Sequence, residues 1–469
     1  MPTSTITLSL KNHRHTTCTT PSPAQASMLG RCRVLLLLAT ALALATAAHA
    51  QSYYFVDCSG SNPADYPTIS AALAVAGPNS YIIVTGTCNE NVNITNASNL
   101  NLGAYYGSTA TINGNVSVTA SNSVFLYGLN VTNPAGNGFE INSSHNVTLW
   151  TCTANGNVGA GLGVATISDV VVQGPGSFDS NGSSGIVVDA NSVLALVALS
   201  GPVDISSNHG AGVGVNDGAL FKTYGNATIE NNINTSTSIR PNGYGIQLLA
   251  GAKLQVGSCN GTNQISGNQS GGIDAREHSR ISIWACAPVA ENIIKDNGPV
   301  GVELGMGSEL ALYTNVVISG HTEAGIDMYG GAQLYMIGPN QISQNGTSTN
   351  PRSAGVVVDG NSEAYLRGGT ISTNEGPGIL ALVNSSVDSV GATFPDNSRG
   401  MITCDSSAYL VSDLLPAHGN PPPGILCRTP HHLGNGNRAA AAPVAPDFAA
   451  QKNQAAQYKK FASPKINKY

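Results

Sequence analysis

Short runs of alternating apolar and polar residues follow one another from about residue 53 to residue 427, and most of them begin with a glycine and a large apolar residue. Alternation with a period of two places successive side chains on opposite faces of a strand, so one face of each run is apolar. The glycine-apolar pairs recur every 22 to 33 residues: Gly138-Phe139, Gly161-Leu162, Gly185-Ile186, Gly212-Val213, Gly245-Ile246, Gly272-Ile273, Gly301-Val302, Gly325-Ile326, Gly355-Val356, Gly378-Ile379 and Gly400-Met401. A repeat of this length predicts a β-solenoid with one repeat per coil.

Positions inside each repeat are more regular than the length of the repeat. From the third coil to the eleventh, a small residue such as Ser279 or Ser308 stands seven positions after the glycine, which predicts a turn of constant length between two strands. A polar residue usually stands four positions before the glycine: Asn157, Asn181, Asn208, Asn268, Asn297, Asn374 and, once, His321. Asparagine tolerates left-handed backbone and its amide bonds to amides above and below, so the column predicts an asparagine ladder at a turn.

The first coil has a different order of elements. Tyr53 to Cys58 is a predicted strand, Thr68 is placed to cap a short helix, and Gly77 ends that helix. Strand, short helix and then many Asn-rich strands resemble the start of the pectin lyase-like right-handed parallel β-helix family, and the resemblance covers residues 53–427. It implies an all-β fold, a single-stranded right-handed parallel β-helix or β-solenoid, in which the short N-terminal helix caps the core.

The two ends of the chain have a different composition. Arg31 and Arg33 precede an apolar run that leads to the small-residue site Ala48-His49-Ala50, which is typical of a secretory signal peptide. The predicted organisation is an over-extended start or disordered leader at 1–27, a signal peptide at 28–50, the β-helix at 51–427 and a disordered basic tail at 428–469. The expected location is secreted, periplasmic or at the cell surface, with no transmembrane segment after cleavage.

Charge is distributed unevenly along the chain. Residues 1–50 carry a net charge of +4 and residues 428–469 carry +6, whereas nine Lys and Arg against 25 Asp and Glu give residues 51–427 a net charge of −16. Such a body repels nucleic acid, which excludes it as a partner, and meets a polyanionic glycan only through bridging cations.

Seven cysteines remain after residue 50, and a secreted context favours disulfides. Cys259 and Cys286 each lie fourteen residues after their glycine, so they occupy the same place in adjacent coils about 4.8 Å apart. The other predicted bridges are Cys58–Cys88, at the N-terminal cap, and Cys404–Cys427, at the C-terminal end. Cys152 is expected to be a buried free thiol.

An acidic column is the strongest candidate site. Gln247, Asp274, Glu303 and Asp327 stand two residues after the glycines of consecutive coils, with Arg276, Tyr329 and His278 nearby. Stacked carboxylates repel one another unless they bind a cation or share protons. Asp274, Glu303 and Asp327 are therefore candidate calcium ligands or catalytic groups of glycoside cleavage, with Arg276 as a substrate clamp or, in a lyase, the proton acceptor.

A structural interpretation of the same residues stays open. Arg276 would neutralise Asp274 on its own strand, just as Lys253, Arg280 and Glu309 form a neighbouring column of opposite charges. The aromatic residues Trp284, Tyr313, Tyr335 and Tyr365, together with Tyr329 and His278, would contact sugar rings if they point outward, and would be packing residues if they turn the corner of a coil.

Two functions follow, both involving a polysaccharide or a cell-envelope glycan. The first is a secreted polysaccharide lyase or glycoside hydrolase that uses Asp274, Glu303, Asp327 and Arg276. The second is a non-catalytic extracellular protein that binds glycan, acts as an adhesin or forms a structural surface. The catalytic motifs of pectate lyases, polygalacturonases and pectin methylesterases are absent from the sequence, so the resemblance assigns no residue a catalytic role.

Overall fold

The computed structural model describes residues 51–61, 64–105, 107–198, 201–235, 243–259, 261–286 and 290–412, together with the backbone of Ile425–Leu426. The chain divides into two units, Met1–Gln51 and Ser52–Tyr469. The predicted leader at 1–27, signal peptide at 28–50 and basic tail at 428–469 lie outside the described residues. Within the described part, no helix is long and apolar enough to span a membrane.

Three parallel sheets contain all the strands of the described residues. Sheet 1 has 15 strands: Ser52–Asp57, Ser80–Thr85, Ser98–Ala104, Asn122–Tyr127, Val147–Trp150, Asp169–Gln173, Val193–Val197, Leu220–Thr223, Lys253–Ser258, Arg280–Ala285, Glu309–Leu312, Gln333–Ile337, Glu363–Arg367, Ser386–Val390 and Tyr409–Ser412. Sheet 2 has 14 strands: Val92–Thr95, Val116–Thr119, Phe139–Asn142, Leu162–Ala165, Ile186–Val188, Val213–Val215, Tyr244–Leu248, Gly271–Ala275, Val300–Leu304, Ala324–Met328, Ala354–Val358, Ile379–Ala381, Ile402–Cys404 and Ile425–Leu426. Sheet 3 has 12 strands: Thr87–Cys88, Ala110–Asn113, Leu129–Thr132, Thr153–Ala154, Gly176–Ser177, Val203–Ser206, Ala227–Glu230, Asn263–Ser266, Asn292–Lys295, Val316–Ser319, Gln341–Ser343 and Thr370–Ser372.

Between Val92 and Ser372 each coil contributes one strand to sheet 2, then one to sheet 1, then one to sheet 3, and it pairs in parallel with its neighbouring coils. Alternate side chains point into the space that the three sheets enclose. In one coil these are Ile273, Ala275, Ile281, Ile283 and Ile294, all at most 1% exposed. Burying a side chain of isoleucine size stabilises the fold by about 1.5–3 kcal/mol, so this repeated inward set holds the coils together.

The turn between sheets 2 and 1 has the constant length that the sequence predicted. Glu277 and His278 adopt left-handed backbone, with φ angles of 57° and 63°. Ser279 then donates its hydroxyl to the carbonyl of Arg276 at 2.6 Å. Its backbone N–H donates to the hydroxyl of Ser308 in the next coil at 3.2 Å. A small hydroxyl residue therefore closes the turn and links it to its neighbour.

The predicted asparagine ladder is confirmed and is longer than predicted. It runs through Asn133, Asn157, Asn181, Asn208, Asn232, Asn268, Asn297, His321, Asn345, Asn374 and Asn397. At most steps the backbone N–H and the side-chain amide of one residue donate to the Oδ1 atom of the next, as Asn268 does to Asn297 at 3.1 and 2.8 Å. Asn232 and Asn345 do not stand four residues before a repeat glycine, because a long connection follows each of them before the glycine of the next coil.

The N-terminal cap is the predicted short helix, Ile69–Leu73. The Thr68 side chain accepts a hydrogen bond from the N–H of Ala71 at 3.2 Å, and the Glu90 carboxylate accepts from the N–H of Ile69 at 2.7 Å. These bonds satisfy donors that a helix leaves unpaired at its start. Ile69 and Ala72 are fully buried against the first coil, so the helix closes the end of the core.

Two predicted disulfides are confirmed. Cys58 pairs with Cys88 beside the cap, and Cys259 pairs with Cys286 across adjacent coils, with Cα atoms 5.0 and 4.6 Å apart. Cys427 lies outside the described residues, so its predicted bridge to Cys404 stays a prediction. Cys152 is the predicted buried free thiol, and burial raises its pKa to about 12.

Candidate functional site

The acidic column lies on the outer face of sheet 2, in a stretch where three consecutive coils have short turns. The connections from sheet 3 to sheet 2 are four residues long there, at 267–270, 296–299 and 320–323. On either side of this stretch the corresponding connections are longer, at 231–243 and 344–353. We call the outer face of sheet 2 between these two long connections the acidic face. Neighbouring strands are about 4.8 Å apart, so three coils make it roughly 15 Å wide.

The side chains of the column are in register on neighbouring strands. Gln247 pairs with Asp274, Asp274 with Glu303, Glu303 with Asp327, and Asp327 with Val357. Alternation along each strand had placed these residues outside the core, and they are outside it. The three carboxylates are therefore separated by one strand spacing each, a distance at which uncompensated charges repel strongly.

Arg276 lies between the first two carboxylates and pairs with both. Its Nε atom donates to Asp274 Oδ1 at 2.8 Å, and its Nη2 atom donates to Glu303 Oε1 at 3.1 Å. Gln247 donates to the other Asp274 oxygen at 3.1 Å. These neighbours cover Asp274 completely, because its side chain is 0% exposed. Asp274 is thus outside the core but is not accessible from the surface, unlike the exposed column that the alternation suggested.

Glu303 is the centre of the network. Besides Arg276, its carboxylate accepts hydrogen bonds from Tyr244 at 2.6 Å and Tyr329 at 3.2 Å. Two glycines make these contacts possible, because a Cβ atom at Gly271 would lie 2.7 Å from the Tyr244 ring and one at Gly305 would lie 2.5 Å from the Tyr329 ring. The Tyr244 ring lies over Gly271 of the next coil, and the Tyr329 ring lies over Gly305 of the previous coil. The two phenol groups therefore reach Glu303 from opposite sides.

Asp327 belongs to a second charged group. Arg352, from the long connection 344–353, donates to Asp327 at 2.7 Å and to Asp359 at 2.9 Å. The side chains of Glu303, Asp327 and Arg352 are 20%, 15% and 36% exposed. Each of these side chains is therefore partly exposed to solvent, and its contacts with neighbouring residues fix its orientation.

Burial and pairing shift the pKa values in this network. Burial raises the pKa of the Asp274 and Asp327 carboxyls, although Arg276 and Arg352 oppose the shift. Burial alone would lower the pKa of Arg276, but the carboxylates of Asp274 and Glu303 outweigh it and the net shift is upward. Arg276 therefore stays charged and is a poor proton acceptor. Burial first, and then the charge of Glu303, raise the pKa of Tyr244, so this phenol stays a hydrogen-bond donor.

Two guanidinium groups offset part of the negative charge of the acidic column. Arg276 pairs with Asp274 and Glu303, and Arg352 pairs with Asp327. Among the described residues, Cys58, Cys88 and Glu90 bring three possible ligand atoms within 4.8 Å of one another, and the first two are joined as a disulfide. Calcium binding by Asp274, Glu303 and Asp327 would require the guanidinium groups to move away.

The structure separates the predicted aromatic residues from the acidic face. Trp284 and Tyr313 are 1% and 4% exposed and form a cluster on the outer side of sheet 1, together with Tyr335. Tyr335 and Tyr365 are stacked, with ring centroids 5.1 Å apart. Of the aromatic residues that the sequence predicted as glycan contacts, only Tyr329 belongs to the acidic network. Trp284 and Tyr313 are therefore enclosed packing residues here, which was one of the two interpretations of the sequence.

His278 lies in the turn beside Arg276 and is exposed. Its ring rests against Gly307 of the next coil, since a Cβ atom there would lie 2.6 Å from His278 Nδ1. The small pocket next to it has a volume of about 90 Å³ and is lined by Gln247, Leu249, Asp274, Arg276, Glu277 and Met306. Because a typical small-molecule site measures roughly 300 Å³ or more, a large ligand would lie across this face and would not be enclosed by it.

Three members of the network were not predicted as site residues: Tyr244, Arg352 and Asp359. Tyr244 precedes the glycine of its coil, and the paired position in the next coil is Gly271. A large aromatic residue beside a glycine of the adjacent coil is a signal that was present in the sequence. Arg352 lies in an insertion whose path is set by tertiary contacts, so no sequence pattern indicated its partners.

Comparisons with known proteins agree with the coil architecture. The family model described as "Right handed beta helix region" matches residues 281–414. Among solved structures, pectate lyase Pel9A is 15% identical with a TM-score of 0.39, over 57% of this chain and 78% of that one. The A-module of mannuronan C-5 epimerase AlgE4 from Azotobacter vinelandii is 15% identical with a TM-score of 0.40, over 75% and 93%. None of the curated protein sequences matches the chain.

The match of the family model concerns the coil architecture and assigns no residue a role. Three parallel sheets wound coil by coil, a capping helix at the N-terminal end and the match over residues 281–414 agree with one another. The predicted fold class is confirmed: this chain contains a right-handed parallel β-helix.

Proposed function

We propose that the protein is a secreted, non-catalytic polysaccharide-binding β-helix, and that the acidic face contacts the glycan. The observation that carries this proposal is the Glu303 network. Arg276, Tyr244 and Tyr329 fix one carboxylate with three hydrogen bonds, and the outer edges of Arg276 and Glu303 remain 23% and 20% exposed.

Sugar hydroxyl groups are both donors and acceptors of hydrogen bonds. A guanidinium and a carboxylate held side by side offer both partners in a fixed arrangement, and little side-chain entropy is lost when a ligand binds to groups that are already ordered. Arg352, Asp327 and Asp359 repeat the arrangement on the next coils. A chain of sugars lying across the coils would meet both groups in turn.

The charge of the face narrows the class of glycan. Asp274, Glu303, Asp327 and Asp359 outnumber Arg276 and Arg352, and the whole body between residues 51 and 427 carries −16. A uronic acid polymer would be repelled. Neutral sugars and amino sugars are better candidates than uronic acids, because the ammonium group of an amino sugar would bind the exposed edges of the Glu303 and Asp327 carboxylates.

Binding is favoured over a lyase mechanism in which Arg276 or Asp274 removes the proton, because neither group is free to act as a base. Arg276 is paired with two carboxylates and its pKa is raised, and Asp274 is covered. A general base must reach the proton that it removes and must be free to accept it.

The experiment compares Glu303→Gln with Glu309→Gln. Glu309 is a matched control, because its side chain is 25% exposed, it lies one strand away on sheet 1 and it pairs with an arginine, Arg280, at 3.6 Å. Isothermal titration with glucosamine oligomers, neutral glucans and polygalacturonate would measure affinity. We expect Glu303→Gln to weaken binding of a glucosamine or neutral oligomer at least tenfold, and Glu309→Gln to leave it unchanged. Equal affinities for both variants, or no binding by the wild type, would refute the proposal.

A second candidate function, glycoside hydrolysis, is favoured by one specific observation. Glu303 and Asp327 are paired residues on neighbouring strands, and their environments differ. Three donors hold the Glu303 carboxylate, as suits a nucleophile, whereas burial raises the pKa of Asp327, as suits a general acid. Carboxyl groups about 5 Å apart are typical of retaining enzymes. Release of reducing ends by the wild type and its loss in Asp327→Asn would establish this function in place of simple binding.

A further inference from the structure

A continuous strip of aromatic and uncharged side chains covers the outer side of sheet 1 at the N-terminal end of the β-helix. The strip consists of two columns of outward positions on the first six strands. They are Tyr53, Tyr81, Asn101, Phe125, Thr148 and Val171 in one column, and Phe55, Ile83, Gly103, Tyr127, Trp150 and Gln173 in the other. We call these twelve residues the aromatic face. It is on a different sheet from the acidic face.

The rings of the aromatic face are packed side by side. Tyr53 and Tyr81 are stacked with centroids 5.0 Å apart. Phe125 lies 5.7 Å from the Tyr127 ring and 6.2 Å from the Trp150 ring. Tyr53 and Tyr81 therefore cover one ring face of each other, while Tyr53, on the first strand, stays 45% exposed.

A glycine shapes the middle of this face. Gly103 has no side chain, and a Cβ atom there would lie 2.5 Å from the Tyr127 ring. The Tyr127 ring thus lies across the neighbouring coil instead of standing up from its own. This position flattens the strip between Ile83 and Trp150.

Exposure is greatest on the first strand. Tyr53 and Phe55 are 45% and 46% exposed, which is unusual for large apolar side chains in adjacent outward positions. Tyr81, Phe125 and Trp150 are partly exposed. Exposed aromatic side chains that follow one another along the coil axis are typical of a binding surface.

None of the twelve positions carries a charged residue, although the body as a whole has a net charge of −16. Asn101 and Thr148 present an amide and a hydroxyl between the rings. An uncharged strip in an acidic protein is complementary to an uncharged polymer, since a polyanion such as nucleic acid would be repelled by its surroundings.

We propose that the aromatic face binds a neutral polysaccharide, whose sugar rings pack on Tyr53, Phe55, Phe125 and Trp150. Pyranose rings have apolar C–H faces that pack on aromatic rings, and their hydroxyls reach side-chain amides and hydroxyls at the edge. The strip follows the coil axis, so an extended glycan chain would contact several rings at once and gain affinity from each. This surface is independent of the acidic face, and its function does not depend on glycan binding there.

The test uses the full chain and the double variant Tyr53→Ala/Phe55→Ala. Tyr409→Ala is the matched control, because Tyr409 is 45% exposed on the last strand of the same sheet, far along the coil axis. Affinity electrophoresis in gels containing hydroxyethylcellulose, xyloglucan or soluble starch would measure binding to neutral chains. We expect at least one of these polymers to retard the wild type and the Tyr409→Ala variant equally, with affinity reduced at least tenfold in the double variant.

Fluorescence gives a second measurement. The protein has two tryptophans, and Trp284 is 1% exposed, so a change of indole emission on adding the retarding polymer reports mainly on Trp150. Binding should be unchanged between 50 and 500 mM salt, because no charges are paired. The double variant should leave binding of a glucosamine oligomer unchanged, which separates this site from the acidic face.

Several results would overturn the proposal. These are no retardation of the wild type by any of the three polymers, equal losses in the double variant and in Tyr409→Ala, or binding that salt abolishes. A dimer in sedimentation velocity that the double variant dissociates would assign the face to a second copy of the chain. The single variant Phe55→Ala repeats the test if the double variant melts well below the wild type.

Discussion

Replacing Arg276 by glutamine should destabilise the protein through Asp274, and the size of the effect follows from burial. Asp274 is 0% exposed and takes its only full positive charge from Arg276 at 2.8 Å. Removing one partner of a buried ion pair costs about 3–5 kcal/mol, because the other charge stays buried without compensation. Arg276 itself is 23% exposed, so we take the lower value, about 3 kcal/mol. With an unfolding entropy of roughly 2.1 cal/mol/K per residue over about 360 residues, this lowers the melting temperature by about 4 °C.

The effect should depend on pH in a definite direction. Burial already raises the pKa of Asp274 in the folded protein, and loss of Arg276 removes the main opposing influence. In Arg276→Gln the folded state therefore binds a proton at a pH where the unfolded chain does not, so the variant gains stability as pH falls. The difference from the wild type should therefore shrink as pH falls.

Thermal unfolding of four proteins would check this reasoning: wild type, Arg276→Gln, Asp274→Asn and the double variant. A neutral residue at 274 no longer needs the cation, so the double variant should recover most of the loss. A melting temperature of Arg276→Gln that stays within 1 °C of the wild type at pH 8, or a loss that the double variant does not recover, would show that Asp274 is compensated by other groups.

Three further changes have expected outcomes. Asp204→Asn should raise stability at pH 7 by about 1 kcal/mol after allowance for solvent screening, because burial raises the pKa of this carboxyl to about 6 and its charged form is disfavoured in the fold; the gain in melting temperature should disappear at pH 4, and a gain that persists there would contradict the assignment. Asn208→Ala should lower stability by about 3 kcal/mol, since Asn208 bonds both neighbours in the ladder, including Asn232 at 3.0 Å, and their buried groups would lose partners; a loss under 1 kcal/mol in the same thermal assay would mean that water replaces the amide. Gly271→Ala should displace the Tyr244 ring from Glu303, which ultraviolet difference spectra of the tyrosines would detect, and an unchanged spectrum would show that the ring is held elsewhere.

The coil architecture was predictable because its signals are local and repeated. A glycine and an inward apolar pair recur from coil to coil, and the turn of constant length recurs from the third coil on. The last predicted repeat is one residue out of register, because Ile402 and not Met401 pairs with Ile379. The bridge Cys259–Cys286 followed from equal positions in adjacent coils. The ladder positions Asn232 and Asn345 were missed for the opposite reason, because insertions after them break the fixed distance to the next glycine. Register in a β-helix is set by stacking, whereas the length of each connection is free to vary.

The candidate site was only partly predictable. Asp274, Glu303 and Asp327 were predicted as a column because each stands two residues after the glycine of its coil. The alternation of apolar and polar residues, however, indicates only on which face of the strand a side chain lies. Whether that side is open depends on neighbours from other coils. Gln247 and Arg276 cover Asp274, and Arg352 arrives from a connection whose path no local pattern describes. Burial on the outer face is a tertiary property, so the sequence could not distinguish a covered carboxylate from an exposed one.

The two candidate surfaces differ in a way that follows from stacking itself. Coils repeat about every 4.8 Å, so each outward residue is held beside its counterparts in the coils before and after it. Carboxylates in such a column must be compensated, and here Arg276 and Arg352 do so from within the chain, which leaves only the edges of Glu303 and Asp327 for a ligand. Aromatic rings in such a column stack on one another, as Tyr53 does on Tyr81, and Tyr53 still stays 45% exposed. The acidic face is therefore suited to hydrogen-bonding a few polar groups of a glycan, and the aromatic face is suited to binding an extended stretch of a glycan chain.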